Sequence, residues 1–145
     1  SRASVGDKIP SMGRSDLPED IRRFILVNVP SVPYLEAILL VRIDPDIGWD
    51  VRRLAARLFV AERQAAEVLT ALAAAGIAQS EDQGGTALFR YAPATAELRG
   101  KLDALAQVYS TNLVGVTDLI HSRIDKRAQQ FADAFRLRKD SGKED

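Results

Sequence analysis

Cysteine is absent from this 145-residue chain, and histidine, tryptophan and methionine occur once each. Without thiols there is no disulfide and no thiolate metal site. His121 stands alone near the end of a long helical pattern, where a histidine is expected to be a surface or capping residue rather than a ligand or base. Asp44, Asp46 and Asp50 are close in sequence, but Asp44-Pro45-Asp46 reads as a turn and lacks the further ligands and the glycine of a calcium loop. No phosphate-binding glycine loop, nucleophile elbow or kinase signature is present. The expectation is a protein that is not an enzyme and carries no metal or cofactor. A run of ~20 apolar residues, as needed to cross a bilayer, is also missing, and Ser1 to Asp7 has no apolar signal core; a cytoplasmic protein with no membrane partner is expected.

An excess of either charge is missing too. Twenty Lys and Arg face twenty Asp and Glu, which offers little global help to a nucleic-acid binder, because phosphate neutralisation supplies much of such affinity. Distribution then matters more than the total. Between Asp46 and Pro93, Arg52, Arg53, Arg57, Arg63 and Arg90 are set against Asp46, Asp50, Glu62, Glu67, Glu81 and Asp82. Only the stretch from Arg123 onward is clearly basic.

What is there is ordinary globular material, 46% hydrophobic and 28% charged, enough for one compact domain with a helical extension. Residues 1–15 lack any period and read as a flexible tail. Asp16-Leu17-Pro18-Glu19 has the form of a helix start, and Ile21, Phe24 and Ile25 continue it to Asn28. A second helix, Tyr34 to Ile43, is apolar over most of its circumference and belongs in the centre of a core. Ile47-Gly48-Trp49 follows the Asp44-Pro45-Asp46 break and has the form of a short strand. Asp50 then caps a helix with Val51, Leu54, Ala55 and Leu58 on one face. After a link at Phe59-Val60-Ala61, Glu62 to Ala75 carries Ala65, Val68, Leu69, Leu72 and Ala75 on one side and stops at Gly76, a residue suited to the left-handed position past a helix end. Ile77–Ser80 and Thr86–Tyr91 flank a polar loop, Glu81 to Gly85, as two antiparallel strands would.

After Pro93 a helical pattern runs from about Ala94 to Ser122. Leu98, Leu102, Leu105, Tyr109, Asn112, Val116 and Leu119 alternate spacings of four and three, a heptad seam that Ala106, Leu113 and Ile120 widen. Packing onto the first two helices is one use for such a seam. The other is a homodimer interface formed by Leu98, Leu102, Leu105, Tyr109, Asn112, Leu113, Val116, Leu119 and Ile120, with Asn112 fixing the register. A further basic helix is expected from Arg123 to about Arg138, and residues 140–145 are expected to fray. The domain reading is thus a head over 16–93 and a helical dimerisation or interaction extension over 94–139.

The order helix, helix, helix-turn-helix, hairpin, long helix resembles the winged helix-turn-helix transcriptional regulators of bacteria, in particular the MarR-like and PadR-like groups. The residues that carry the resemblance are Trp49 to Leu58, Val60 to Ile77, and the hairpin ending Phe89-Arg90-Tyr91. It implies a mainly α fold with a small β-hairpin: a winged helix-turn-helix head plus a long C-terminal helix or helices. It also implies a homodimer that binds double-stranded DNA, the helix from Glu62 entering the major groove. Arg63, Gln64, Glu67 and Thr70 would then face the bases, and Arg52, Arg53, Arg57 and Arg90 the phosphates. The sequence departs from that pattern at Ala61, where a capping Ser or Thr is common, at Glu67, which would repel the DNA backbone, and at the acidic pair Glu81 and Asp82. These departures support a rival reading, a winged-helix module that binds another protein through its head or through the basic C-terminal helix. A third use of that basic helix would be contact with anionic phosphate surfaces. Trp49 and Tyr91, flanking the hairpin, read as core residues before they read as the lining of a ligand pocket.

Overall fold

A computed structural model describes residues 17–144, with side chains as far as Ala134. The tail over 1–15, the capping role of Asp16, and the side chains of Phe135 to Lys139 in the basic helix lie outside the described residues. Helices dominate: α1 (Glu19–Asn28), α2 (Val32–Ile43), α3 (Val51–Leu58), α4 (Glu62–Ala74), the hairpin β1 (Ala78–Gln83) and β2 (Thr86–Tyr91), then α5 (Ala96–Thr111) and α6 (Leu113–Glu144). This is the expected class, mainly α with a small β-hairpin, arranged as a winged helix-turn-helix followed by C-terminal helices. The described residues divide into two compact units, Val32–Thr111 and the segments that flank it on either side.

In the Val32–Thr111 unit, α2 is the centre. Tyr34, Leu35, Ala37, Ile38 and Val41 are all buried, and the helix touches α3, α4 and β2. An element buried on several sides has no room for a continuous polar stripe, which accounts for a composition that is apolar except for Glu36 and Arg42. Leu54 and Ala55 of α3, and Ala65, Val68, Leu69 and Leu72 of α4, complete the core of the helix-turn-helix. Helix α4 ends in a full Schellman motif: Ile77 N–H donates to the Leu72 carbonyl at 2.9 Å and Gly76 N–H to that of Ala73 at 3.1 Å. Gly76 sits at φ +79°, where a side chain would be strained. Helix α3 closes with only one bond of that pattern, Val60 N–H to the Ala55 carbonyl at 3.1 Å, and Phe59 N–H donates to the same carbonyl. There the left-handed residue, at φ 58°, is Phe59.

The hairpin is longer and tighter than its composition suggests. Its register pairs Gln83 with Thr86, Glu81 with Leu88 and Gln79 with Arg90, so β1 includes three residues expected in the loop. The reason is Gly84-Gly85, at φ 58° and 87°: two successive positive φ values make a two-residue turn whose twist suits a hairpin. Trp49 joins the sheet by an isolated antiparallel bridge to Phe89, with both backbone hydrogen bonds at 2.8 Å; the pairing is confined to this residue and does not extend over the strand expected at Ile47–Trp49.

The helix expected over 94–122 is two helices. Ser110 Oγ and Thr111 Oγ1 bond back to the Gln107 carbonyl, and Thr111 also to that of Val108. Hydroxyls that compete for backbone acceptors weaken a helix interior. Asn112 then serves as the start of a new helix: its Oδ1 accepts from Gly115 N–H at 3.0 Å and its carbonyl from Val116 N–H at 3.1 Å. From there α6 runs unbroken through Ser122 and Arg138 to Glu144.

In the other unit α1 packs on α6. Ile21, Ile25 and Val29 on one segment and Val116 and Ile120 on the other are buried. The first described turn of α1 has no side-chain cap; the Pro18 carbonyl accepts from Arg22 N–H at 2.9 Å. Arg123 donates to the Val29 carbonyl at 3.3 Å, satisfying an acceptor at the end of α1.

Candidate functional site

Helix α3 begins at Asp50, whose Oδ1 accepts from Arg53 N–H at 2.7 Å. That cap fixes which way the first turn faces. Arg52, Arg53 and Arg57 are all exposed, and α3 contains no acidic residue. Among the described residues neither Arg52 nor Arg57 has an ion-pair partner. Arg53 lies over the Trp49 ring, 5.0 Å from its centroid, a cation–π contact that holds the guanidinium without neutralising it. Trp49 is itself 3% exposed and hydrogen-bonded to β2, so the wing braces the first helix of the motif.

On α4 the solvent-facing residues are Glu62, Arg63, Gln64, Glu67, Thr70, Ala71 and Ala74, with Ala66 half-buried. Arg63, Gln64, Glu67 and Thr70 therefore do share one exposed face. Arg63 lies 3.9 Å from Glu67 one turn on; both side chains are mostly exposed, so the pair is worth only ~0.3–0.5 kcal/mol and yields easily. Ala61 offers no side-chain cap to the helix. Positive charge is thus concentrated on α3, whereas the charged residues of α4 are one arginine and two glutamates.

On the wing Arg90 is engaged twice, by the Glu81 carboxylate and by the Asp46 carbonyl at 3.2 Å. Glu81 reaches it because Gln79 is opposite Arg90, which puts Glu81 diagonally across on the same face. The tip itself is Gly84-Gly85, not an acidic residue.

The heptad residues have mixed surroundings. Leu102, Leu105, Val116 and Ile120 are buried; Leu98, Tyr109, Asn112 and Leu119 are partly exposed; Leu113 is 49% exposed. They are shared between α5 and α6. On α5, Asp103 accepts from Arg42 Nε of α2 at 3.0 Å, and Arg99 lies over the Tyr91 ring at 5.7 Å. Burial raises the Tyr91 phenol above its usual value, the Asp103 charge adds to this, and Arg42 and Arg99 oppose it. Trp49 and Tyr91 are both core residues; the Trp49 indole N–H is buried with no hydrogen-bond partner.

One feature escaped sequence reading: a groove of about 460 Å³ lined by residues of α2, the α3–α4 turn and α5, with Glu36, Ile43, Phe59 and Tyr109 among them. Its signal was an aromatic residue at a helix stop where Gly or Asn is usual.

No protein-family model matches the chain, and no curated protein sequence does. Among solved structures, one similar fold is a protein described as a possible transcriptional regulator from Methanosarcina mazei Go1, with TM-score 0.45 and 19% identity over 66% of this chain and 81% of that one. Another is the PcaV transcriptional regulator of Streptomyces coelicolor, determined in complex with its natural ligand, with TM-score 0.45 and 18% identity over 81% of this chain and 84% of that one.

Proposed function

We propose that this chain is a sequence-specific DNA-binding transcriptional regulator that acts as a winged-helix homodimer. The observation that carries the reading is the Asp50-capped, acid-free helix α3, which exposes Arg52, Arg53 and Arg57 beside the polar face of α4. In this reading those arginines hold phosphates and position α4 in the major groove. Gln64 and Arg63 then read base edges, the latter after leaving Glu67, while Thr70 lies farther along the same face. Arg90 contributes mainly by bracing the wing, because Glu81 already neutralises it.

The homodimer draws on Leu98, Tyr109, Leu113 and Leu119, which retain exposure, with Val114 adding apolar surface next to Leu113. Two heads would address half-sites one or more DNA turns apart, ~34–36 Å per turn.

Selection of bound duplexes from a random library tests the assignment. A defined motif should emerge; Gln64→Ala should relax it at one position, whereas Arg52→Ala should weaken all sequences alike. Recovery of no motif overturns the proposal. The neutralised wing and Glu67 favour a second reading, docking of a protein partner through the head. A stoichiometric partner captured without any DNA preference would decide for it.

A further inference from the structure

We propose that the concavity beside α6, where that helix runs past the end of α1, binds the phosphate group of a small phosphomonoester. Its volume is about 180 Å³, and it is lined by Pro30, Arg123, Ile124 and Arg127. All four belong to the α1–α6 unit, and none is assigned to the DNA-binding face or to the homodimer contact. Arg123 and Arg127 stand one turn apart on α6, a spacing that puts their Cβ atoms ~5–6 Å from each other on one face. Among the described residues neither has an ion-pair partner. Two like charges so placed destabilise a helix unless an anion joins them. Asp125 does not serve, because it is two residues from each arginine and faces away from both.

Arg123 is the fixed half of the pair. It is half-buried and donates to the Val29 carbonyl at 3.3 Å, a neutral acceptor that orients the guanidinium while leaving its charge and its remaining N–H groups uncompensated. Arg127 is exposed and free to swing onto a bound group. Pro30 has no N–H and Ile124 is 41% exposed, so the other walls are apolar and suit the organic part of a ligand. The chemistry of the anion follows from the pair. A carboxylate, with one charge and two oxygens, is satisfied by a single guanidinium fork. A phosphomonoester carries about −1.5 to −2 charge near pH 7 and three terminal oxygens, which engages both arginines. A phosphodiester has one charge and two free oxygens, so the nucleic-acid backbone is a poor fit. The volume lies below the ~300–1,000 Å³ of sites that enclose a drug-sized molecule, and it matches a phosphate with a short substituent.

The site is tested on the full chain without nucleic acid. Phenyl phosphate and methyl phenyl phosphate differ little in shape, but at about pH 8 the first is a dianion and the second a monoanion. Calorimetric titration of each at low salt therefore separates recognition of a monoester from general attraction to anions. The expected result is one phenyl phosphate per chain, bound about tenfold more tightly than the methyl ester. Arg127→Gln should weaken phenyl phosphate about tenfold, and Arg127→Lys, which keeps the charge and loses the fork, by less. Circular dichroism should show both variants folded. Lowering the pH to about 5 should weaken phenyl phosphate, whose second protonation lies near 6, and leave the methyl ester unchanged, because arginine does not titrate there. Arg52→Ala on α3 should not alter phenyl phosphate binding, which keeps this outcome separate from that of the DNA-binding proposal. The inference is overturned if the methyl ester binds as tightly as phenyl phosphate, if Arg127→Gln changes nothing, if the loss follows Arg52→Ala instead, or if phenyl phosphate does not bind.

Discussion

Replacing Phe59 by glycine should stabilise the protein, although it deletes the whole of an aromatic side chain. The left-handed conformation at φ 58° costs a residue bearing a Cβ ~1–2 kcal/mol, and glycine removes that cost. Against it stands the greater freedom of glycine in the unfolded chain, ~0.5–1 kcal/mol. Lost burial is small, because Phe59 is 93% exposed. The balance is a gain of roughly 0.5–1 kcal/mol, or about 2–4 °C in Tm for a chain of this size. Phe59→Ala keeps the strained backbone and discards the ring, so it should leave stability nearly unchanged. Urea denaturation followed by circular dichroism measures both, and an unchanged m-value would show that the surface exposed on unfolding is the same in each variant. A loss above ~1 kcal/mol in the glycine variant would refute the reasoning, since it would mean that the ring packs in a way its exposure does not show.

Gly76 provides the opposite test. Gly76→Ala places a Cβ in the left-handed region at φ +79°, 3.3 Å from Ala94 Cβ, and should cost about 1–2 kcal/mol in the same urea titration. Asp50→Ala removes the acceptor of Arg53 N–H and should cost ~1 kcal/mol, whereas Asp50→Asn should retain most of it. Alkaline pH should unfold the protein by linkage through its tyrosines. Burial raises Tyr34, Tyr91 and Tyr109 above the ordinary value of 10.0, so the folded state holds these protons more tightly than the unfolded state does. That contribution is complete below pH 10 and declines above it, and a stability-versus-pH curve that stays flat to pH 12 would contradict it.

Much of the fold was legible because local and tertiary signals agree. The apolar circumference of α2, the Asp50 cap and the Gly76 stop each have one cheap conformation, and the structure adopts it. The bridge from Trp49 to Phe89 was legible for a similar reason: it follows a turn and precedes a cap. The hairpin was misjudged in length because Glu81-Asp82-Gln83 looks like loop by composition, while the pairing is dictated by the two glycines after it. The break at Asn112 was hidden by the heptad pattern, which continues through it. Only the clustering of Ser110, Thr111 and Asn112 marks the place, since their side chains compete for backbone groups. At the candidate interface, exposure of Arg63, Gln64, Glu67 and Thr70 followed from helical spacing alone. The pairing of Arg90 with Glu81 did not, because it depends on strand register. Nor did the Phe59 groove, which depends on a backbone angle that sequence does not display.

The central claim is that the arginines of α3 bind phosphates. The salt dependence of affinity for a selected duplex tests it most directly, since each neutralised phosphate contributes ~0.9 to the slope of log K against log salt. Replacing Arg52, Arg53 and Arg57 together by alanine should flatten that slope by about 2–3 units while far-ultraviolet circular dichroism stays unchanged. A slope identical in the native protein and the triple variant would contradict the account.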